Sequence, residues 1–527
     1  MDITQFYLRK IQQIHNGIYT LWSLFKLGKR YLTAAWLGIS LAVLFFYPLT
    51  MSLTGNGEYY MSWQLINTVE LAATFLLFSA IFATLIFYMD TMKSGFLRTA
   101  LLFCLTIIPF SFFLIHLIRQ FIGADRVESI IEKLVSTNIL GLNLTVLLCV
   151  VMLLFVAFLR KTLFSRSYEN LISIIIVLSP LSILTFLIII LHGFNGFSNS
   201  IGALNELSNH TNVLSEKKNS IYVFLFDELD YTMLYKDGKL DSDYPNLRHF
   251  SEQSENYHNA RSPGNETLTS IPRLLLNDAS KNIHVCGNVL CANDVGEKDR
   301  ILNMDDNVFK LARSFDFKTA TVGWAHPYCE QYADDLDYCR SHSIYNHSIL
   351  NPTFSLLSPI NTNIIMLPHQ LPFGFLKNPV YSEFHHQNVS QTHQLALKII
   401  EQGDNLFSFF HYPIPHIPFV YDGDQYVQNA RPFLENRDNY KKQLRYVDKL
   451  FGELITGLKD AGKLDLSTIV VFSDHGFRKI LPSNEDNHVP MMIYRGEKPY
   501  YSNVTERVPT EEKLFALLTE IGLSNSY

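Results

Sequence analysis

The sequence has no basic stripe, no internal repeat, no low-complexity tract and no CxxC pair. Each absence removes a class of protein. A formal net charge of −6 without clustered Lys and Arg leaves no electrostatic footprint for nucleic acid, so no such partner is expected. The lack of a repeat argues against stacked solenoid architectures. The lack of CxxC spacing argues against a four-cysteine zinc site. There is also no short cleavable leader: the first apolar run starts near residue 31 and is of spanning length.

Long apolar blocks are abundant, but only in the first part of the chain. Blocks at 31–51, 68–89, 97–118, 138–159 and 170–192 are each long enough to cross a bilayer, which takes about 20 apolar residues. Soluble helices alternate apolar and polar faces, and these runs do not. An α-helical membrane domain of five transmembrane helices is therefore expected over 1–192. Arg9, Lys10, Lys26, Lys29 and Arg30 precede the first block, whereas the loop 52–67 carries no Lys or Arg. Lys93 and Arg98, then Arg160, Lys161 and Arg166, mark later cytoplasmic loops, so the N-terminus is expected inside and everything after His192 outside. Trp63, Tyr59 and Tyr60 read as interfacial. Residues 193–219 are polar and read as a linker.

Of the six cysteines, Cys104 and Cys149 fall in apolar blocks. Cys286/Cys291 and Cys329/Cys339 form two close pairs, the pattern of two local disulfides in an oxidising compartment.

Residues 220–527 look like an ordinary soluble domain. "SIYVFLFD" (220–227) and "STIVVFSD" (467–474) are near-continuous apolar runs, as in parallel strands buried on both faces. "KTATVGWA", "NLFSFFHYPIP" and "VPMMIYRG" read as further strands. "NVFKLARSF" and "NYKKQLRYVDKLFGELITGLKDAG" read as helices between them. Alternating strands and helices predict an α/β domain with a mostly parallel sheet. Sites in such sheets lie at the carboxyl ends of strands. Asp227 and Glu228 end one strand, and Asp474 and His475 end another. His411 and His416 follow a third, and His488 precedes a fourth. Carboxylates with imidazoles suit Zn²⁺. Taken alone, acids at a strand end also serve as helix caps, and a lone histidine such as His411 reads as a hydrogen-bonded structural residue.

The stretch "RSPGNETLTSIPRLLL" (261–276) crowds Glu266, Thr267, Thr269 and Ser270 before a helix expected to begin near Ser270. Capping accounts for Thr269 or Ser270. Thr267 stands one turn earlier, where a hydroxyl can face a metal held by two strand ends.

"SDHG" closing a strand, with acids closing the first strand, resembles the alkaline phosphatase/sulfatase superfamily. The window Ser262-x-Gly264-x-x-Thr267-x-x-Ser270-Ile271-Pro272 is similar to that of the lipid A phosphoethanolamine transferases within it, as is "YPNL" (244–247). The resemblance implies Thr267 as nucleophile, Glu228, Thr267, Asp474 and His475 as ligands of Zn²⁺, and His416 and His488 as substrate-side histidines. It implies a membrane-bound enzyme of the bacterial inner membrane with a periplasmic catalytic domain at 220–527. Such an enzyme moves the head group of phosphatidylethanolamine through a phosphothreonine to a lipid or glycan acceptor. A phosphoglycerol transferase or a phosphodiesterase is the alternative on the same scaffold, and an inactive membrane-anchored scaffold the rival from another class. Where the family usually has Gly-Glu, this chain has Asp227-Glu228, so Asp227 is open to two readings: a further ligand, or the holder of a second metal. The sulfatase window Cys/Ser-x-Pro-x-Arg is not met, because "RSPGNETL" has no arginine in place.

Overall fold

The computed structural model describes residues 30–46, 65–91, 219–276, 282–286, 289–293, 300–342, 379–427, 437–477, 487–496 and 501–524, with a few isolated positions. The chain divides into two compact units.

The first unit gathers most of residues 1–192. Residues Thr68–Met89 form a helix long and apolar enough to cross a membrane, and Arg30–Phe46 is a shorter apolar helix. Phe78 stacks on Phe45 with ring centroids 5.2 Å apart and meets Phe46 edge-on at 5.4 Å. Gly38 permits the close crossing, because a Cβ there would lie 2.5 Å from the Ser79 carbonyl oxygen. The expected spans at 97–118 and 170–192 lie outside the described residues except for isolated helical positions. The expected span at 138–159 does not begin as a helix. Asn138–Ile139 pairs antiparallel with Leu142–Asn143, and asparagine is a weak helix former. Most of the expected linker at 193–219 also lies outside the described residues.

The second unit is built on a nine-stranded sheet. Its strands are β1 (Ser220–Phe226), β2 (Glu255–Arg261), β3 (Lys318–Trp324), β4 (Tyr338–His342), β5 (Leu406–Tyr412), β6 (Ser467–Phe472), β7 (His488–Arg495), β8 (Ser502–Val504) and β9 (Val508–Pro509). The order is β4-β3-β5-β1-β6-β7-β2-β8, with β9 also on β2. β4, β3, β5, β1 and β6 pair in parallel. β7 runs against both of its neighbours. Its first residue, His488, therefore lies on the rim where the parallel strands end.

The central strands are buried on both faces, and their alternation splits the core in two. Tyr222, Phe224 and Phe226 of β1 join Ile469 and Val471 of β6 and Phe410 of β5 on one face. Helices α1 (Pro245–Ser251), α4 (Pro379–Gln402) and α5 (Arg437–Asp460) cover that face with residues such as Leu247, Ile399 and Phe451. Ile221, Val223 and Leu225 join Phe407, Phe409, Val470 and Phe472 on the other, under α2 (Thr267–Leu276), α3 (Val308–Ser314) and α6 (Thr510–Ser524). Cys329 and Cys339 form the expected disulfide. Cys291 is also disulfide-bonded, while the Cys286 side chain lies outside those described.

Candidate metal centre

The residues after β1 and β6, the end of β5 and the start of α2 meet at one rim of the sheet. His411 is level with Leu225 in the β5–β1 ladder, and Phe472 is level with the same Leu225 in the β6–β1 ladder. Asp227 and Asp474 each follow two residues beyond those ladder positions. Asp227, His411 and Asp474 also share strand parity with Leu225, Phe409 and Phe472, so all three project from the face that carries α2. One ligand atom from each lies within 4.8 Å of the others, and all three side chains are buried.

Backbone groups hold the acids in place. Asp474 Oδ1 accepts from the Glu228 N–H at 3.2 Å and from the His475 N–H at 3.0 Å. The Ser473 hydroxyl donates to the Phe226 carbonyl at 2.9 Å and accepts from the Leu229 N–H at 2.8 Å, which ties the two strand ends together. Glu228 has φ of 64°, a left-handed conformation uncommon for a residue with a Cβ. Its backbone is clamped there by Asp474 and by the Tyr440 hydroxyl, which donates to the Glu228 carbonyl at 2.6 Å. Such backbone outliers cluster at functional sites.

Thr267 opens α2, three residues earlier than the expected helix start at Ser270. The N–H groups of Thr269 and Ser270 both bond to the Glu266 carbonyl, so Glu266 stands at the helix cap and Pro272 lies inside the helix. Thr269 bonds back to Glu266 rather than capping from in front. Gly264 makes room for this turn: a Cβ there would lie 2.6 Å from Thr269 Oγ1 and 2.7 Å from Ser270 Oγ. Thr267 Oγ1 donates to Asp227 Oδ2 at 3.3 Å and lies 3.2 Å from His475 Nε2. Asp227 Oδ2 is also 3.3 Å from His411 Nε2.

The electrostatics follow from burial. Loss of solvent, and next the Asp474 charge, push the Asp227 carboxyl up to about 7. Burial would also raise Asp474, but His475, then His411, outweigh it and hold that carboxyl below its ordinary value. Burial and the repulsion between the two carboxylates thus favour a proton held on the acid pair. Burial pushes the His411 imidazole down to about 4, against opposite pulls from Asp474 and the Trp324 carbonyl. Among the described residues Asp227 Oδ1 and Asp474 Oδ2 have no hydrogen-bond donor, and His475 Nε2 stands 3.7 and 3.4 Å from them. Buried carboxylate oxygens left in this way fit a bound cation, and a mixed carboxylate–imidazole set fits Zn²⁺.

The other expected residues divide. The His416 N–H donates to the Asp227 carbonyl at 3.0 Å, and the His416 ring packs on Trp324 at 5.2 Å. His488 stacks on Tyr231 at 4.0 Å, with its Nε2 2.9 Å from the His258 carbonyl oxygen. His411, which taken alone reads as a structural histidine, joins Asp227 and Asp474. Strand parity was the signal that could have found it.

The sulfatase family profile matches residues 219–507, more than half of the 527-residue chain. The chain belongs to the sulfatase family. Members of this family are metal-dependent enzymes of the alkaline phosphatase superfamily, which agrees with the fold and the acid–imidazole cluster. Similar solved structures include a phosphonate monoester hydrolase from Silicibacter pomeroyi (16% identity, 58% of this chain and 73% of that chain, TM-score 0.39). A protein of the alkaline phosphatase superfamily from Vibrio parahaemolyticus is similar at 12% identity, over 62% and 69%, with TM-score 0.37. The lipoteichoic acid synthase LtaP from Listeria monocytogenes is similar at 16% identity, over 58% and 74%, with TM-score 0.33. No curated protein sequence matches the chain.

Metal binding must displace the proton held by the acid pair, so Zn²⁺ affinity is expected to rise with pH through about 7. Calorimetry in buffers of different ionisation enthalpy should find more proton released per bound ion at pH 6 than at pH 8. A pH-independent proton count would refute the assignment of the shared proton. Gly264→Ala is expected to destabilise the fold by about 1–3 kcal/mol through overpacking against Thr269 and Ser270, seen as a lowered thermal midpoint. An unchanged midpoint would contradict the close packing at this turn.

Proposed function

We propose that this sulfatase-family protein is a membrane-bound, zinc-dependent phosphoethanolamine transferase. It moves the head group of phosphatidylethanolamine to an envelope glycolipid or glycan through a phosphothreonine on Thr267. The observation that carries the reading is the placement of the Thr267 hydroxyl. It sits at the first position of a ten-residue helix, with Asp227 and His475 both within reach of its proton. Proposed ligands of Zn²⁺ are Glu228, Thr267, Asp474 and His475, with Asp227 and His411 completing or extending the set toward a second ion.

Bound Zn²⁺ would supply charge neutralisation for the nucleophile and the phosphoryl oxygens. The chain's own groups do the rest. Thr267 Oγ1 gives its proton to the Asp227 carboxylate and bonds to phosphorus. The phosphorus–oxygen bond to diacylglycerol breaks, and His416, with His488, protonates the departing oxygen. The N–H groups at the start of α2 and the positive end of its dipole face the phosphoryl group. In the second half the acceptor oxygen bonds to phosphorus, its proton leaves to the same histidines, and Thr267 is freed. Residues 1–192 would anchor the enzyme in a bacterial inner membrane with the N-terminus in the cytoplasm and residues 220–527 in the periplasm. Both lipid substrates would then be at hand.

Sulfate-ester hydrolysis is the second reading, favoured by the family itself. The missing arginine in "RSPGNETL" weighs against it.

Incubation with phosphatidylethanolamine should add one phosphoethanolamine mass to the intact protein, mapped by proteolysis to Thr267. Thr267→Ala should abolish the adduct and lower head-group transfer by roughly 10³-fold or more. A glycerophosphate adduct would support the phosphoglycerol alternative. Turnover of an aryl sulfate by Thr267→Ala with no adduct on the native protein would sink the transferase reading.

A further inference from the structure

Tyr328 opens a four-residue helix (Tyr328–Gln331) after β3 and is fully buried. Its hydroxyl oxygen is 2.7 Å from His411 Nδ1, on the side of the imidazole away from Asp227. Three features fix the ring. Gly323 on β3 lies beneath it, and a Cβ at 323 would come within 2.2 Å of two ring carbons. Cys329, the next residue, is bonded to Cys339 on β4. The Tyr328 N–H donates to the His326 carbonyl at 2.9 Å. The Trp324 ring meets the His411 imidazole edge-on at 5.9 Å and restricts its rotation further. A bare glycine, a disulfide and a buried phenol thus converge on a single imidazole nitrogen.

We propose that Tyr328 is a positioning residue for the metal centre. Its oxygen accepts the Nδ1–H of His411, so that the Nε2 lone pair of His411 points at the cation held by Asp227 and Asp474. The inference rests on the metal-centre reading above and adds His411 to the ligands with a defined tautomer. Metal-ligating histidines usually donate their second ring N–H to a fixed acceptor, and loss of that acceptor typically costs 10–100-fold in metal affinity. The Trp324 carbonyl also acts on the imidazole, so the phenol's share needs a direct measurement.

The test uses the full chain purified in detergent. Zn²⁺ affinity is measured in a competitive chelator titration for the native protein, Tyr328→Phe and His411→Ala. Tyr328→Phe keeps the ring on Gly323 and removes only the oxygen. The expected result is a 10–100-fold weaker affinity in Tyr328→Phe, a further loss in His411→Ala, and a changed visible spectrum when Co²⁺ replaces Zn²⁺. Native affinity and an unaltered Co²⁺ spectrum in Tyr328→Phe would overturn the proposal. Native affinity in His411→Ala would overturn it as well, while leaving a centre built on the two aspartates standing. Should Tyr328→Phe fail to fold, nitrogen NMR of the native Zn²⁺ form decides. A protonated Nδ1 and a coordinated Nε2 on His411 support the role, and the reverse tautomer refutes it. None of these readouts depends on head-group transfer, so they separate this inference from the transferase reading.

Discussion

Two carboxylates buried side by side at the rim of a parallel sheet govern the rest of the structure. Asp227 and Asp474 are both excluded from solvent, and like charges in a low dielectric repel strongly. Without a cation that repulsion favours a proton on the pair; a cation offsets the charge of both acids. The surrounding groups are arranged around that need. Asp474 is oriented by two backbone N–H donors, Ser473 ties its loop to β1, and His411 and His475 bring imidazole nitrogens to the remaining oxygens. The positive φ of Glu228 is part of the same arrangement, because its N–H is one of the two donors to Asp474.

The sheet makes this possible through direction and parity. Parallel strands end on one rim, so acids far apart in the chain arrive together there. Alternation along β1, β5 and β6 sends Asp227, His411 and Asp474 to the face that carries α2. The reversed strand β7 brings His488 to the rim as well, but its ring rests against Tyr231 and His258. The close turn at Gly264 then sets the start of α2 so that the Thr267 hydroxyl reaches both Asp227 and His475.

Much of the α/β domain was legible in the sequence. Each central strand is a short apolar run because both of its faces are covered, and the amphipathic run at 437–460 reads as a helix because one face is apolar. The carboxylates at the strand ends and the hydroxyl of Thr267 were visible because they interrupt strong local patterns. The start of α2 was less legible. Hydroxyl residues suit both a cap and a first turn, and only the carbonyl of Glu266, bonded by two N–H groups, distinguishes them. In the first unit, apolar composition is enough to identify the helix at Thr68–Met89, but at the start of the block at 138–159 Asn138–Ile139 pairs with Leu142–Asn143 instead.

Sequence by itself therefore determined the strand and helix pattern, the metal-type residues at the strand ends and the threonine beside a helix start. These depend on local periodicity and on the chemistry of individual side chains. Only the tertiary structure decided that His411 belongs with Asp227 and Asp474, that the two carboxylates are buried side by side, and that Tyr328 stands behind the imidazole. Those outcomes depend on distances of a few ångströms between residues remote in the chain and on their common burial. Strand register, side-chain parity and the missing Cβ of Gly323 set those distances together.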